Sequence, residues 1–174
     1  MRRGLSLLAE VEVRRDEVAE LLVIASSGGH LAQALAAMPK DATFHVFTNR
    51  AGVATDDDRI ATLTLPRYDT HKNPLIHLVN IATAVYVIRR NRIRLLFSTG
   101  GSLALPFAVV ARLMRYPFVY MDTLSRVEDL SNTARLVTRL RLVRTVLSQW
   151  PDVAARYPGV RYAGAIAPVR RHRH

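Results

Sequence analysis

No cysteine occurs among the 174 residues, so disulfides, thiolate metal sites and a cysteine nucleophile are excluded, and a reducing compartment suits the chain. Aromatic side chains make up 7%. With no zinc-finger, RNA-recognition or basic-zipper pattern either, little beyond charge speaks for nucleic-acid binding, and none is expected. HExxH, EF-hand and paired-histidine spacings are missing, so no metal is expected. No apolar run reaches the roughly 20 residues of a membrane-spanning helix. The run that begins at Leu5 is broken by Glu10 and Glu12 before it attains the length of a signal peptide, which leads to the expectation of a cytoplasmic chain. Acidic residues are also scarce: 14 against 25 Lys and Arg, a formal net charge of +11. Such a surface attracts polyanions, whether nucleic acid, an anionic membrane face or phosphorylated substrates.

What is present is globular. At 49% hydrophobic and 22% charged, the chain can bury a substantial core, and its length fits one domain of the usual size. The expected organisation is a charged leader over 1–20, a single domain over 21–167 and a basic tail over 168–174. Leu21 to Ala25 is a continuous apolar run, as a strand buried on both faces requires. Further strands are predicted at Phe44 to Thr48, Thr62 to Leu65, Arg94 to Ser98, Phe118 to Met121 and Thr145 to Ser148. Helices are predicted at Leu31 to Met38, from Pro74 through Ile88, at Leu103 to Met114 and at Asn132 to Arg141. Alternation of this kind predicts an α/β, Rossmann-like fold with a mainly parallel sheet and helices on both faces. Right-handed crossovers then bring every strand's carboxyl end to one edge, where ligands bind.

Four constellations fall at that edge. Ser26-Ser27-Gly28-Gly29-His30 joins strand to helix, and its glycines permit a sharp turn before unpaired helix N–H groups that attract anions. His30 in the first helical turn is a candidate general base; the alternative is a Gly-Gly turn with an incidental histidine. This is neither GxGxxG nor a P-loop. Ser98-Thr99-Gly100-Gly101-Ser102 repeats the pattern and either binds a sugar or phosphate or caps the next helix. In Asp122-Thr123-Leu124-Ser125-Arg126, Arg126 is suited to clamping a phosphate, or else to a surface salt bridge with Glu128 or Asp129. Gln149-Trp150-Pro151 holds the single tryptophan, an interface anchor or a core filler. The helix from Pro74 ends in Arg89-Arg90-Asn91-Arg92, so it either lies on an anionic membrane or is half-buried with a solvated basic end.

The order of these motifs resembles a known family. Ala25-Ser26-Ser27-Gly28-Gly29-His30-Leu31, Asn73-Pro74, Ser98-Thr99-Gly100-Gly101 with Leu105-Pro106-Phe107, Ser125-Arg126-Val127, Gln149-Trp150-Pro151 and Tyr157-Pro158 are similar to those of the polysaccharide-biosynthesis family. That family includes the membrane-recruiting subunit of the eukaryotic lipid-linked N-acetylglucosamine transferase and bacterial capsule and exopolysaccharide glucuronosyl- or galactosyltransferase subunits. The resemblance runs from about Leu21 to Ile166. The peptidoglycan lipid-intermediate transferase carries the same Gly-Gly-His turn within one continuous chain. Two departures stand out: Asp122-Thr123 where many members have Glu-Ser, and Gly100-Gly101 where Gly-Ala is frequent.

The resemblance implies one half of a GT-B glycosyltransferase, the acceptor-side domain, peripheral on the inner face of the cell membrane. It implies a companion chain that binds the nucleotide sugar, a UDP-sugar, with no cofactor held by this chain. The acceptor would be a polyprenyl-diphosphate-linked saccharide. His30 would be the catalytic base, and Ser27, Gly28, Gly29, Thr99, Gly100, Gly101 and Arg126 would bind the acceptor or its diphosphate. Asp122 would act as an acid or as a hydrogen-bonding group, and Gln149 and Trp150 would face the partner. The other functional expectation is a non-catalytic scaffold that recruits a catalytic partner to the membrane.

Overall fold

The structure, a computed structural model, describes residues 20–48, 60–64 and 74–166, the third strand and residues 74–77 by their backbone. Among the described residues, seven strands, β1 (Leu21–Ile24), β2 (Phe44–Thr48), β3 (Ile60–Thr64), β4 (Leu95–Ser98), β5 (Phe118–Met121), β6 (Thr145–Ser148) and β7 (Val160–Tyr162), are joined by five helices, α1 (Gly29–Ala37), α2 (Pro74–Arg90), α3 (Ala104–Met114), α4 (Asn132–Arg139) and α5 (Pro151–Arg156), one between each successive pair of strands except β2 and β3. All neighbouring strands pair in parallel in the order β3-β2-β1-β4-β5-β6-β7. This is the Rossmann-like α/β fold expected from the alternation of elements. The charged leader up to residue 19, the acidic cluster Asp56-Asp57-Asp58, the loop Arg67 to Asn73 and the basic tail lie outside the described residues.

The sheet separates two apolar clusters. On one face Val23, Phe44, Val46, Phe97, Met121 and Leu147 pack with Leu31, Ala34 and Ala37 of α1. On the other, Leu22, Ile24, Phe47, Leu96, Phe118, Tyr120 and Val146 meet α2 through Ala84, Val87 and Ile88, α3 through Phe107 and Ala111, α4 through Ala134 and Val137, and α5 through Val153. β1 and β4 lie in the middle, covered on both sides. Leu22, Val23, Ile24 and Leu96 are fully buried, which is why these strands read as unbroken apolar runs rather than alternating ones. Phe47 and Phe107 add a tilted ring pair with centroids 4.8 Å apart, a favoured aromatic geometry.

Two elements differ from the sequence reading. α5 was not anticipated, because six residues offer too few turns for periodicity to register. Its signals are a proline at the first turn, Asp152 beside it and Arg156 in the last turn, which match proline preference and the helix dipole. Val160–Tyr162 forms a seventh strand, pairing Val160 with Val146 and Tyr162 with Ser148.

Candidate functional site

The strand order reverses between β1 and β4. From β1 the chain proceeds outward through β2 and β3, then returns to place β4 on the opposite side of β1. A crevice opens at such a switch point, outside the carboxyl ends of the strands. The two glycine turns follow β1 and β4 and flank this point, with Ile24 and Ser98 as paired neighbours.

The first turn begins at Ser26. Gly28 has φ 96° and ψ −138°, a conformation L side chains rarely adopt, and its carbonyl accepts the Ala32 N–H at 3.0 Å to start α1. No side chain caps α1. Among the described residues, a Cβ at Gly28 or Gly29 would meet nothing within 4 Å, so these residues leave open space at the helix N-terminus, the geometry that admits an anion or a sugar hydroxyl.

The second turn lies against the first. Gly100 (φ 125°) and Gly101 (φ 87°) both require glycine, and the turn approaches His30 closely. A Cβ on Gly100 would stand 2.9 Å from His30 Cε1 and 3.0 Å from Nδ1, and one on Gly101 would stand 3.2 Å from Ser26 Oγ. Two reciprocal hydrogen bonds join the turns: His30 Nδ1 lies 3.1 Å from the Thr99 carbonyl oxygen, and the Thr99 hydroxyl donates to the His30 carbonyl at 2.6 Å. Thr99 is fully buried. Its hydroxyl thus directs its proton to the His30 carbonyl. Capping of α3 is not its role, since that helix has no side-chain cap.

A third wall is the loop from Asp122 to Ser131. Asp122 is buried, and its two carboxylate oxygens accept the Thr123 N–H at 3.0 Å and the Ser131 N–H at 2.7 Å. The structure thus gives Asp122 the hydrogen-bonding role: it ties the loop's start to the N-cap of α4, where Ser131 accepts the Ala134 N–H at 3.1 Å. Burial, and after it the nearby Asp122 charge, raises the pKa of the Tyr120 phenol far above its ordinary value, so this ring stays neutral beneath Gly100. Gln33 on α1 accepts the Leu124 N–H at 3.1 Å and donates to Thr123 Oγ1 at 3.4 Å. Sequence reading overlooked this residue; its position one turn beyond His30 on an amphipathic helix was the available signal.

Gln149 and Trp150, expected at a partner interface, turn inward. Gln149 is buried; it donates to the Asp122 carbonyl at 3.0 Å and accepts the Ile166 N–H at 3.2 Å. Trp150 is half-buried, and its indole N–H donates to the Leu124 carbonyl at 2.9 Å. Both brace the loop, a task that follows from β6 being the neighbour of β5. Further along, Asp129 pairs with Arg135 and accepts the Tyr157 hydroxyl, while Arg156 donates to the Glu128 carbonyl. Arg126 is exposed and forms no ion pair among the described residues, so its charge remains available at the rim.

The structure brings Ser27, Gly28, Gly29, His30, Thr99, Gly100 and Gly101 together at one point of the sheet edge and sets Asp122 and Arg126 on the adjacent loop. Among the described residues, no group of three His, Asp or Glu side chains is placed to hold a metal ion.

Comparison with known proteins agrees with this architecture. The family model described as "Oligosaccharide biosynthesis protein Alg14 like" matches residues 70–166, more than half of the chain. The chain is 35% identical over 113 residues to the UDP-N-acetylglucosamine--N-acetylmuramyl-(pentapeptide) pyrophosphoryl-undecaprenol N-acetylglucosamine transferase of Xylella fastidiosa strain Temecula1, covering 56% of this chain and 30% of the relative. The same enzyme from strain M23 aligns at 35% identity and 29% of its length. The chain thus spans about a third of the curated relatives it matches. The crystal structure of Acinetobacter baumannii MurG superposes with a TM-score of 0.61 at 17% identity, over 85% of this chain and 46% of that one, which shows a shared fold. By the family match, with its fold and its ordered motifs in agreement, this chain belongs to the Alg14-like oligosaccharide biosynthesis family.

Proposed function

We propose that this chain is the acceptor-binding, membrane-associated subunit of a two-chain GT-B glycosyltransferase that elongates a polyprenyl-diphosphate-linked saccharide. The observation that carries this reading is the pair of glycine turns at the β1–β4 switch point, with His30 held between them and, among the described residues, open space above Gly28 and Gly29. The companion chain supplies the nucleotide sugar, a UDP-sugar, and this chain supplies the nucleophile's side of the cleft. The acceptor hydroxyl gives its proton to the ring nitrogen of His30 that Thr99 does not engage. Its oxygen forms a bond to the anomeric carbon while the bond from that carbon to the nucleoside diphosphate breaks, and the leaving group departs with the electron pair. The uncapped start of α1 and the Arg126 guanidinium suit the acceptor's diphosphate.

The membrane part of the proposal rests on α2. Among the described residues, no helix is long and apolar enough to cross a membrane. The outer face of α2 nonetheless presents Leu78, Val79, Ala82 and Tyr86 to solvent, with Leu78 and Tyr86 each 64% exposed. At about 100° per residue these four share one stripe, and Arg89 and Arg90 continue it. An apolar stripe with a basic end fits the interface of an anionic bilayer better than open water.

The deciding experiment co-expresses this chain with its companion and offers nucleotide sugars to polyprenyl-diphosphate acceptors in vesicles of anionic lipid. Transfer by the pair, and by neither chain alone, is expected; no transfer with any nucleotide sugar refutes the proposal. His30→Ala is expected to leave the pair assembled and to slow transfer about 10²–10⁴-fold, the usual contribution of a positioned base. Unchanged turnover in that variant would instead favour a scaffold that only recruits the catalytic partner.

A further inference from the structure

We infer that Thr99 is the positioning residue that sets the tautomer of His30, so that the proton sits on Nδ1 and the Nε2 lone pair faces substrate. The inference rests on the transferase reading only where it concerns turnover; the tautomer itself is a property of the isolated chain.

A carbonyl oxygen only accepts hydrogen bonds. At 3.1 Å from the Thr99 carbonyl, Nδ1 must therefore carry the proton, and in the neutral ring the other nitrogen is then the one able to accept. Free histidine in water prefers the opposite arrangement, with the proton on Nε2. The chain consequently has to hold the less favoured form, and three features do so. The Thr99 hydroxyl donates to the His30 carbonyl at 2.6 Å, which closes a ring of two opposed hydrogen bonds and fixes the distance between the turns. Thr99 is fully buried and follows β4 directly, so its carbonyl direction is set by the sheet rather than by a mobile loop. Gly100 leaves the ring room to lie against the backbone, since a Cβ there would stand 2.9 Å from Cε1.

Without the hydroxyl, one of the two hydrogen bonds that fix the spacing of the turns is lost, and the sheet alone directs the Thr99 carbonyl without holding it at bonding distance from the imidazole. The ring is then free to take the tautomer preferred in water, in which Nε2 carries a hydrogen and accepts no proton from an acceptor hydroxyl. Thr99 thus acts through His30 and touches no reacting atom.

The test has two arms. In the first, nitrogen NMR of the ¹⁵N-labelled isolated chain, with His30 assigned by its disappearance in His30→Gln, reads which ring nitrogen is protonated at a pH where the ring is neutral. The wild-type chain and Thr99→Ser are expected to show the proton on Nδ1, and Thr99→Val to show a population with the proton on Nε2. A proton on Nε2 in the wild type, or an unaltered Nδ1 signature in a folded Thr99→Val, overturns the inference. Should Thr99→Val fail to fold by circular dichroism, the wild-type and Thr99→Ser spectra still decide. In the second arm, the assembled pair is assayed for transfer. Thr99→Val is expected to lower kcat at least about tenfold with KM changed less than about twofold, as for a group that acts in the transition state alone, and Thr99→Ser to restore it. A raised KM at unchanged kcat assigns Thr99 to acceptor binding and overturns the positioning role. If the wild-type pair transfers no sugar, the functional proposal fails while the NMR arm still judges the tautomer.

Discussion

Replacing Gly100 by alanine tests the contact between the two turns more severely than any other single change. Two penalties are legible. The residue has φ 125°, and holding an L side chain in a sparsely populated region of this kind costs about 1–3 kcal/mol. The new Cβ would also stand 2.9 Å from His30 Cε1 and 3.0 Å from Nδ1, closer than real methyl contacts, so the ring must retreat and release the Thr99 carbonyl, at a further cost of about 1 kcal/mol. The sum, about 2–4 kcal/mol, corresponds to a fall in Tm of roughly 5–15 °C for a domain of this size. Two internal controls separate the terms. Gly28 has φ 96° but open space above it, so Gly28→Ala incurs strain without collision. Gly29 has neither problem, so Gly29→Ala should change stability by less than about 1 kcal/mol while its methyl group fills the space reserved for ligand and lowers transfer. Differential scanning calorimetry of the three variants should rank the losses Gly100, then Gly28, then Gly29. A Gly100→Ala protein that melts no lower than Gly28→Ala would refute the close approach of His30 to the second turn.

The neighbouring loop yields two more expectations. Asp122→Asn keeps one acceptor and turns an amide N–H towards a backbone N–H that the carboxylate now satisfies, so urea denaturation should register a loss of about 1–3 kcal/mol; an unchanged midpoint would show that the two hydrogen bonds contribute little. The hydrogen bond from the Tyr157 hydroxyl, before any other influence, holds the Asp129 carboxyl below its ordinary range, and Asp129 in return raises the Tyr157 phenol. The contact therefore stabilises the fold above the ordinary carboxylate value near 3.8 and loses that effect as pH falls through the lowered one. Its alkaline counterpart is present below the tyrosine value of 10.0 and fades as pH climbs through the raised one. Tyr157→Phe should let Asp129 titrate at higher pH by NMR, and the stability gap to wild type should narrow on acidification; a gap that widens in acid would reverse the assignment.

The fold was legible because burial writes directly into composition. β1 and β4 lie between two helical layers, so the runs Leu21 to Ala25 and Leu95 to Phe97 carry no polar interruption, and Gly-Gly punctuation marks where each chain segment leaves the sheet. The site was legible only as a set of positions. That His30, Thr99 and Gly100 fall at one sheet edge could be read from glycine spacing, but that Thr99 bonds His30 depends on β1 and β4 being neighbours, a pairing made across 69 residues of sequence. The internal hydrogen bonds of Gln149 and Trp150 are hidden from sequence for the same reason. Polar and aromatic groups after a strand suggest an exposed interface, yet β6 adjoins β5 and delivers them into the Asp122 loop, where buried amides are held by internal hydrogen bonds.

Where the excess charge sits changes what it can mean. Helices in a parallel α/β layer run opposite to the strands, so α2, α3 and α4 all end at the sheet's amino edge. Each is followed by an arginine in the left-handed conformation: Arg92 (φ 52°), Arg115 (φ 60°) and Arg141 (φ 50°). Glycine is the favoured residue at such helix ends, whereas arginine accepts local strain and gains about 0.3–1 kcal/mol from the negative end of the helix dipole. Arg89, Arg90, Arg112, Arg139 and Arg144 are exposed beside them, as are Leu113 and Leu140. The glycine turns occupy the opposite edge, where the described loops contribute the exposed Arg126. A net charge of +11 therefore does not measure how strongly the cleft attracts a diphosphate. Among the described residues, much of the exposed basic charge forms a partly apolar rim at the far edge, one end of which is the Arg89-Arg90 terminus of the α2 stripe. On the proposed function, attraction to an anionic surface and recognition of an acceptor fall to separate residues of this fold, and a substitution at the rim is expected to alter the first without touching the His30–Thr99 contact.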